Sequence, residues 1–560
     1  MMPALALLFL AVSTMACRSV DNSRTPPGPQ GSDDTGSAQA DGGTTTDGGA
    51  PGDTGDTGGR RHPPDDDGDG FFAGTQDCDD QDPDINPAQD EVPGNGVDED
   101  CDGSDAGPTR ELADAAAVWQ GEQYSMLGAR IVPGGDVDGD GIDDLLIGAP
   151  WELTPGEGAD WPGTVYVVPA TMPSGPIAGA TATVEPEESN SGVGWAIGGG
   201  QDWNGDGYDD LVIGMPYSVL PIEVQGGHAL VYYGPVAGML SDADADIIID
   251  GSTYDQHLGF SVGLLPESGT AQPLLAIGSS QPVGGVSVVD LWATPPTSGA
   301  TEQSATWRIS GTDMAGGFGV EFSASEDLSG DGIPDLIVTE PQTSVHARSA
   351  GTVYVIPGPI DHDVNVADGA TALYGNREQA DVGMTAPLVH PDTNGDGYAD
   401  LVVSGSLDPD AYTRGGKTWL VRGPITDSGV LDDVATAAVL PERGYEWLGR
   451  GLASPGDLDG DGLEDLAISA PRDWYYGADL PGKVYLFPST ITGTVSGADA
   501  SLVLQGEHFG DYAGASLAGG FDANGDGRTD LAVGAARYDY TETDGEYGAG
   551  RVYLLTDLAL

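Results

Sequence analysis

The chain has 560 residues, of which 89 are Gly and 40 Pro, a turn-rich composition that excludes long helices as the main building element. Lys and Arg number 19 against 90 Asp and Glu, a formal charge of −71; that field excludes nucleic acid as a partner and disfavours anionic membrane surfaces. With 39% apolar residues there is material for a packed core, so the chain is no acidic disordered polymer, and a folded protein of this charge points to bound cations.

Residues 1–17 read as an export signal. The apolar run Pro3 to Val12 is too short for a bilayer, which takes about 20 helical residues, and has the length of a signal-peptide core followed by small residues. Ser13-Thr14-Met15-Ala16 before Cys17 resembles a bacterial lipoprotein processing site, which implies that Cys17 is lipidated and becomes the mature N-terminus. An ordinary secretion signal that contains a Cys is the alternative. Residues 18–64 are Gly, Ser, Thr, Asp and Pro with almost nothing apolar, a disordered tether with a reach of roughly 35–40 Å.

Residues 65–105 form a second acidic element, with DDDGDGF, DCDDQDPDINP and GVDEDCDG as its parts. Its two cysteines, Cys78 and Cys101, are the pair left after Cys17, and in an exported chain such a pair is most simply a disulfide. These parts resemble the metal-binding motif named after the MopE protein of bacterial surface chains. Asp65, Asp67 and Asp69 begin one calcium-like loop, and Asp79, Asp82, Asn86, Asp98, Asp100 and Asp102 supply further oxygens. Hard oxygen donors argue for calcium over copper, one or two ions in all. A module this short, with almost no core, needs the staple and the metal to fold; a disordered acidic spacer is the alternative.

From Gly107 to Leu560 the chain repeats. An acidic loop running into an apolar strand begins at Asp136, Asp202, Asp327, Asp392, Asp457 and Asp522, with spacings of 66, 125, 65, 65 and 65. The long gap holds a repeat without its loop, Leu258–Ser280. A second marker of the GTVYVVP type starts at Gly163, Gly227, Gly285, Gly351, Gly416, Gly482 and Gly550, so there are seven repeats. Each offers four short Val/Ile/Leu/Tyr-rich runs between Gly, Pro and Asp turns, which read as strands. Four strands repeated seven times predict an all-β, seven-bladed β-propeller. The run from Asp114 and the final GRVYLLTDL are expected to complete one blade together.

Each acidic loop carries oxygen donors at positions 1, 3, 5 and 9 and a backbone carbonyl at position 7. In the first these are Asp136, Asp138, Asp140, Ile142 and Asp144; in the second Asp202, Asn204, Asp206, Tyr208 and Asp210; in the third Asp327, Ser329, Asp331, Ile333 and Asp335. The fourth has Asp392, Asn394, Asp396, Tyr398 and Asp400, the fifth Asp457, Asp459, Asp461, Leu463 and Asp465, and the last Asp522, Asn524, Asp526, Arg528 and Asp530. An oxygen-only cage of about six ligands suits Ca²⁺, with Mg²⁺ second, so about six propeller sites are expected. The loop is not an EF-hand, because position 12 is a strand residue such as Ile147 or Val533 where that loop needs Glu.

The repeats resemble FG-GAP repeats of the integrin alpha-chain propeller. The FG element stands at Leu127, Val193, Leu258, Phe318, Val382, Leu448 and Ala513, each followed by Gly, and GAP is intact at Gly148-Ala149-Pro150. The resemblance implies a seven-bladed propeller with calcium in the hairpin between the two inner strands, and suggests adhesion.

In such a meander the loops between the second and third strands lie on the face opposite the metal loops. They carry Trp151, Trp161, Tyr217, Tyr412, Trp474, Tyr475, Tyr476, Tyr538, Tyr540 and Tyr547, the residue types of recognition surfaces; ordinary loop packing is the alternative. Gly259-Phe-Ser-Val-Gly263 matches a nucleophile elbow but occupies the FG position of the third repeat. No enzyme is expected. The reading is a monomeric, calcium-binding protein exported to the bacterial surface or outer membrane, or released from it, that adheres to a protein or polysaccharide. The alternative is a polysaccharide hydrolase or lyase on the same scaffold.

Overall fold

The computed structural model describes residues 85, 109–150, 163–187, 191–218, 226–254, 256–266, 272–280, 286–312, 316–324, 326–390, 392–471, 481–508, 510–538 and 548–560. The export signal with Cys17, the tether, the site residues assigned to 65–105, and Trp151, Trp161, Trp474, Tyr475, Tyr476, Tyr540 and Tyr547 lie outside the described residues.

The strands form seven sheets, the seven blades of a β-propeller. Blade 1 runs Arg130–Gly135, Asp144–Ala149, Thr164–Pro169 and Ala182–Val184 from axis to rim, all antiparallel. Blades 2 to 6 repeat that order. Second strands such as Asp144–Ala149 and Leu211–Met215 are buried at every residue, because each sheet is covered on both faces by its neighbours. They therefore read as continuous apolar runs rather than alternating ones. The core is correspondingly divided into inter-blade layers. One cluster joins Leu146, Val165 and Val184 of blade 1 to Leu211, Ile213 and Tyr232 of blade 2, and another joins Leu420 and Val439 to Ile468 and Tyr485.

The two ends of the chain close the ring as expected. The C-terminal part supplies three strands of blade 7, Ala513–Phe521, Asp530–Ala535 and Arg551–Leu555, and Ala117–Gln120 from the N-terminal part completes it. Ala117 faces Leu554 and Trp119 faces Val552 in antiparallel register.

The blades carry five strands, not the expected four. Each gains a short parallel strand at its rim from the repeat that follows, such as Gly238–Leu240 beside Ala182–Val184 or Gly493–Ser496 beside Ala437–Leu440. Thr109–Glu111 plays that part for blade 6 and Gly175–Pro176 for blade 7. Such pieces are only two to four residues long, too short to show a period.

The two recurring glycine motifs meet between blades. A Cβ on Gly148 would stand 2.1 Å from the carbonyl oxygen of Gly194, and one on Gly214 would stand 1.9 Å from that of Gly259. The GAP glycine of one blade thus lies against the FG glycine of the next, too close for any side chain. In blade 5 Ser404 replaces that glycine and donates its hydroxyl to the Gly449 carbonyl at 2.6 Å. No helix among the described residues is long and apolar enough to cross a membrane.

Candidate metal sites on the inner hairpins

The six acidic loops are the hairpins between the first and second strands, so all leave the sheets at the same end of the propeller. Their curl follows from the sequence. Gly139 and Gly141 take φ of 79° and 88°, a region that glycine enters freely. In the five loops after the first, the position 1 carboxylate then collects backbone N–H groups. Asp327 accepts from Gly330, Asp331 and Gly332 at 2.7, 3.1 and 2.7 Å, and Asp457 from Gly460, Asp461 and Gly462 at 2.7, 3.1 and 2.9 Å. In all six loops the position 5 aspartate accepts the N–H of position 7, at 2.8–3.1 Å. The position 7 side chains Ile142, Tyr208 and Tyr398 are turned to solvent.

Position 9 is fully buried and has two roles. One oxygen of each aspartate accepts loop N–H groups, as Asp144 Oδ2 does from Val137 and Asp138 at 3.1 and 3.0 Å. In four blades the other oxygen accepts from the end of the third strand: Asp210 from Gly234, Asp335 from Gly358, Asp400 from Gly423 and Asp465 from Ser489, at 2.8–3.1 Å. In blades 1 and 7 that bond is missing. Asp144 Oδ1 and Asp530 Oδ1 are buried with no hydrogen-bond partner, as is Asp136 Oδ1.

Three loops gather carboxylate oxygens within 4.8 Å of one another: Asp136, Asp138 and Asp144; Asp327, Asp331 and Asp335; Asp457, Asp459 and Asp465. Three like charges this close, one of them buried, are unfavourable without a counter-charge. Orphaned, acceptor-only oxygens supply the donor set of a hard divalent cation, so the residues fit a metal. Asp140 and Asp461 stand outside these groups. In two of the three loops with Asn at position 3 the amide takes up a neighbouring carboxylate instead. Asn204 Nδ2 donates to Asp206 Oδ2 at 2.7 Å and Asn524 Nδ2 to Asp526 Oδ2 at 3.0 Å.

Burial is the main reason that the Asp144 carboxyl is pushed up to about 7, with Asp138 and Asp140 adding repulsion. Burial likewise raises Asp210 and Asp530 to about 6, and raises Asp335 and Asp465. A group whose pKa is higher folded than unfolded stabilises while protonated and loses that contribution as pH rises through its folded value. Without metal, the Asp144 contribution should therefore be present near pH 4 and gone above pH 7. Urea melts in EDTA from pH 4 to 8 check this: Asp144→Asn should show a shallower fall in stability than the parent. Parallel curves for the two proteins would refute it.

Adjacent loops touch. Asp209, at position 8 of its loop, accepts the N–H of Asp136 in the neighbouring loop at 3.0 Å, a role that only the doubled aspartate of YDD hints at in the sequence. Of the expected aromatic face, Tyr412 is open to solvent, whereas Tyr217 packs edge-on to His257 and Tyr538 lies under the Arg551 guanidinium. Ser261 sits within the strand Leu258–Leu265 and donates to the Gly319 carbonyl at 2.5 Å. That is an inter-blade bond, not a nucleophile elbow, which needs a strand-to-helix turn. Arg551, Glu507 and Gln120 form a polar group at the blade 6–7 border that the sequence reading missed.

Sequence comparison with known families agrees with this architecture. Residues 128–168, 318–356, 451–487 and 513–555 match the FG-GAP repeat, and residues 77–106 match the MopE family described as "Putative metal-binding motif". Integrin alpha-4 of Xenopus laevis is 32% identical over 153 residues, 27% of this chain and 14% of that one. Integrin alpha-V of Gallus gallus is 29% identical over 232 residues (38% and 19%). Integrin alpha-PS2 of Drosophila melanogaster is 34% identical over 157 residues (26% and 11%). The matched segments thus span less than a fifth of the length of these relatives. A solved chain titled "Structure of Dos1 propeller" is similar with a TM-score of 0.41 at 8% identity, over 79% of this chain and 96% of that one. The chain therefore carries FG-GAP repeats similar to those of integrin alpha chains, preceded by a MopE-type metal-binding motif.

Proposed function

We propose that the chain is a calcium-loaded binding protein of the cell surface, not an enzyme. The observation that carries this is the grouping of Asp136, Asp138 and Asp144 within 4.8 Å around a buried, unpartnered Asp144 oxygen. Oxygen-only ligands favour Ca²⁺ over softer metals. About six ions occupy the inner hairpins and one or two the 65–105 module. Their work is structural: they cancel carboxylate repulsion and lock the hairpins, which holds the opposite face in one shape. That face binds a protein ligand through its loops between second and third strands. The chain is exported, held at the surface by a lipid on Cys17, and acts as a monomer in calcium-dependent adhesion.

The test is capture of surface proteins by immobilised full chain in millimolar calcium and in EDTA. Capture should require calcium and should fall at least tenfold when Trp474, Tyr475 and Tyr476 are all replaced by Ala. The same proteins captured in EDTA, or by the triple variant, would overturn the reading.

A further inference from the structure

A cavity of about 410 Å³ opens between the rim of blade 6 and the face of blade 7, within the range of roughly 300–1,000 Å³ of small-molecule sites. Its walls come from three distant parts of the chain. Ala113, Val118 and Pro176 supply apolar surface, and Gln120, Glu507 and Arg551 supply polar groups.

The polar groups are held in place before any ligand arrives. Arg551 lies flat on Tyr538, 3.4 Å from the ring centre. Its Nη1 donates to Glu507 Oε1 at 2.5 Å and its Nη2 to Gln120 Oε1 at 3.0 Å. The Tyr553 hydroxyl donates to the same Glu507 Oε1 at 2.8 Å. Both bonds to the carboxylate therefore fall on one oxygen. Glu507 Oε2, the Gln120 amide nitrogen and the buried Arg551 Nε are left uncommitted.

Blade 6 builds the same group at the equivalent position and closes it. There Lys483 donates to both oxygens of Glu442, at 2.8 and 3.0 Å, and the Tyr485 hydroxyl donates to Oε1 at 2.7 Å. With Arg551 in place of Lys483 the fork reaches sideways to Gln120, one carboxylate oxygen is freed, and Glu507, Gln120 and Arg551 all line the cavity.

We infer that this groove binds a neutral sugar ring. One carboxylate oxygen calls for a hydroxyl donor, and the amide and guanidinium N–H groups beside it call for hydroxyl acceptors. An apolar wall within reach suits the C–H face of a pyranose. Glu507 repels an anion and Arg551 repels a cation, so an uncharged ligand fits the pair. No metal-loop residue takes part, and the site stands or falls independently of calcium.

The experiment is calorimetry and thermal melting of the full chain with glucose, galactose, mannose and N-acetylglucosamine. At least one should bind saturably and raise the melting midpoint, because its contacts join the N-terminal outer strand to the C-terminal third strand. Ala113→Trp, placed at an exposed residue outside the ion pair, should fill the groove and weaken binding at least tenfold with the midpoint of the free protein unchanged. Glu507→Gln should weaken it as much. Absence of binding by all four sugars, or undiminished affinity in Ala113→Trp, overturns the inference.

Discussion

Removing divalent cations from the full chain should lower its melting midpoint by on the order of 10 °C, and millimolar calcium should restore it. Each site held at a hundred times its dissociation constant contributes about 2.7 kcal/mol to the folded state, and three hairpins group their carboxylates within 4.8 Å. The metal-free state leaves buried oxygens of Asp136 and Asp144 without partners, an arrangement that costs about 1–3 kcal/mol per unsatisfied group. Magnesium at equal concentration should restore less, because it gives up its water reluctantly. Scanning calorimetry in EDTA, magnesium and calcium decides the matter. Superimposed melts in EDTA and calcium would show that the loops are acidic turns and nothing more.

Cutting the chain after Gly121 should abolish the cooperative melt altogether. The cut takes away Thr109–Glu111 and Ala117–Gln120 together, so Leu502–Gln505 and Arg551–Leu555 lose their outer neighbours. Two open sheet edges in one ring invite intermolecular pairing. The closing strand also anchors Trp119, which is fully buried and donates its indole N–H to the Met172 carbonyl at 3.2 Å. Trp119→Ala alone should cost about 3–5 kcal/mol. Urea melts followed by circular dichroism, with gel filtration for association, check both variants. A truncated chain that stays monomeric and unfolds in one sharp step would mean that the closure holds nothing together.

Much of this architecture was legible because the same physical demand recurs in every repeat. The GAP run is readable because the second strand is buried on both faces, and the FG glycine because a neighbouring backbone stands where its side chain would be. The glycines at positions 4 and 6 announced the tight curl of the acidic loops, and the resemblance to FG-GAP repeats implied their place between the two inner strands. The fifth strands were not legible, since Gly175-Pro176 or Ala300-Thr301 has no hydrophobic pattern and pairs only because the next repeat passes the rim there. Nor was the second role of position 9. Whether Asp144 or Asp400 keeps a free oxygen depends on a third-strand N–H more than twenty residues away. The Arg551, Glu507 and Gln120 group joins residues up to 431 apart in sequence, and only closure of the ring brings them together.

The repeat without a loop has a geometric consequence of its own. A ring of seven equal blades looks nearly the same after each one-seventh turn, so a rigid body approaching along the axis would have seven almost equivalent ways to seat. Blade 3, whose strands Leu258–Leu265 and Leu274–Ser279 are joined without the acidic turn, removes that degeneracy. It is a keyway: one sector lacks the aspartate loop that the six others carry, and the ring acquires a zero mark from which every other blade is counted.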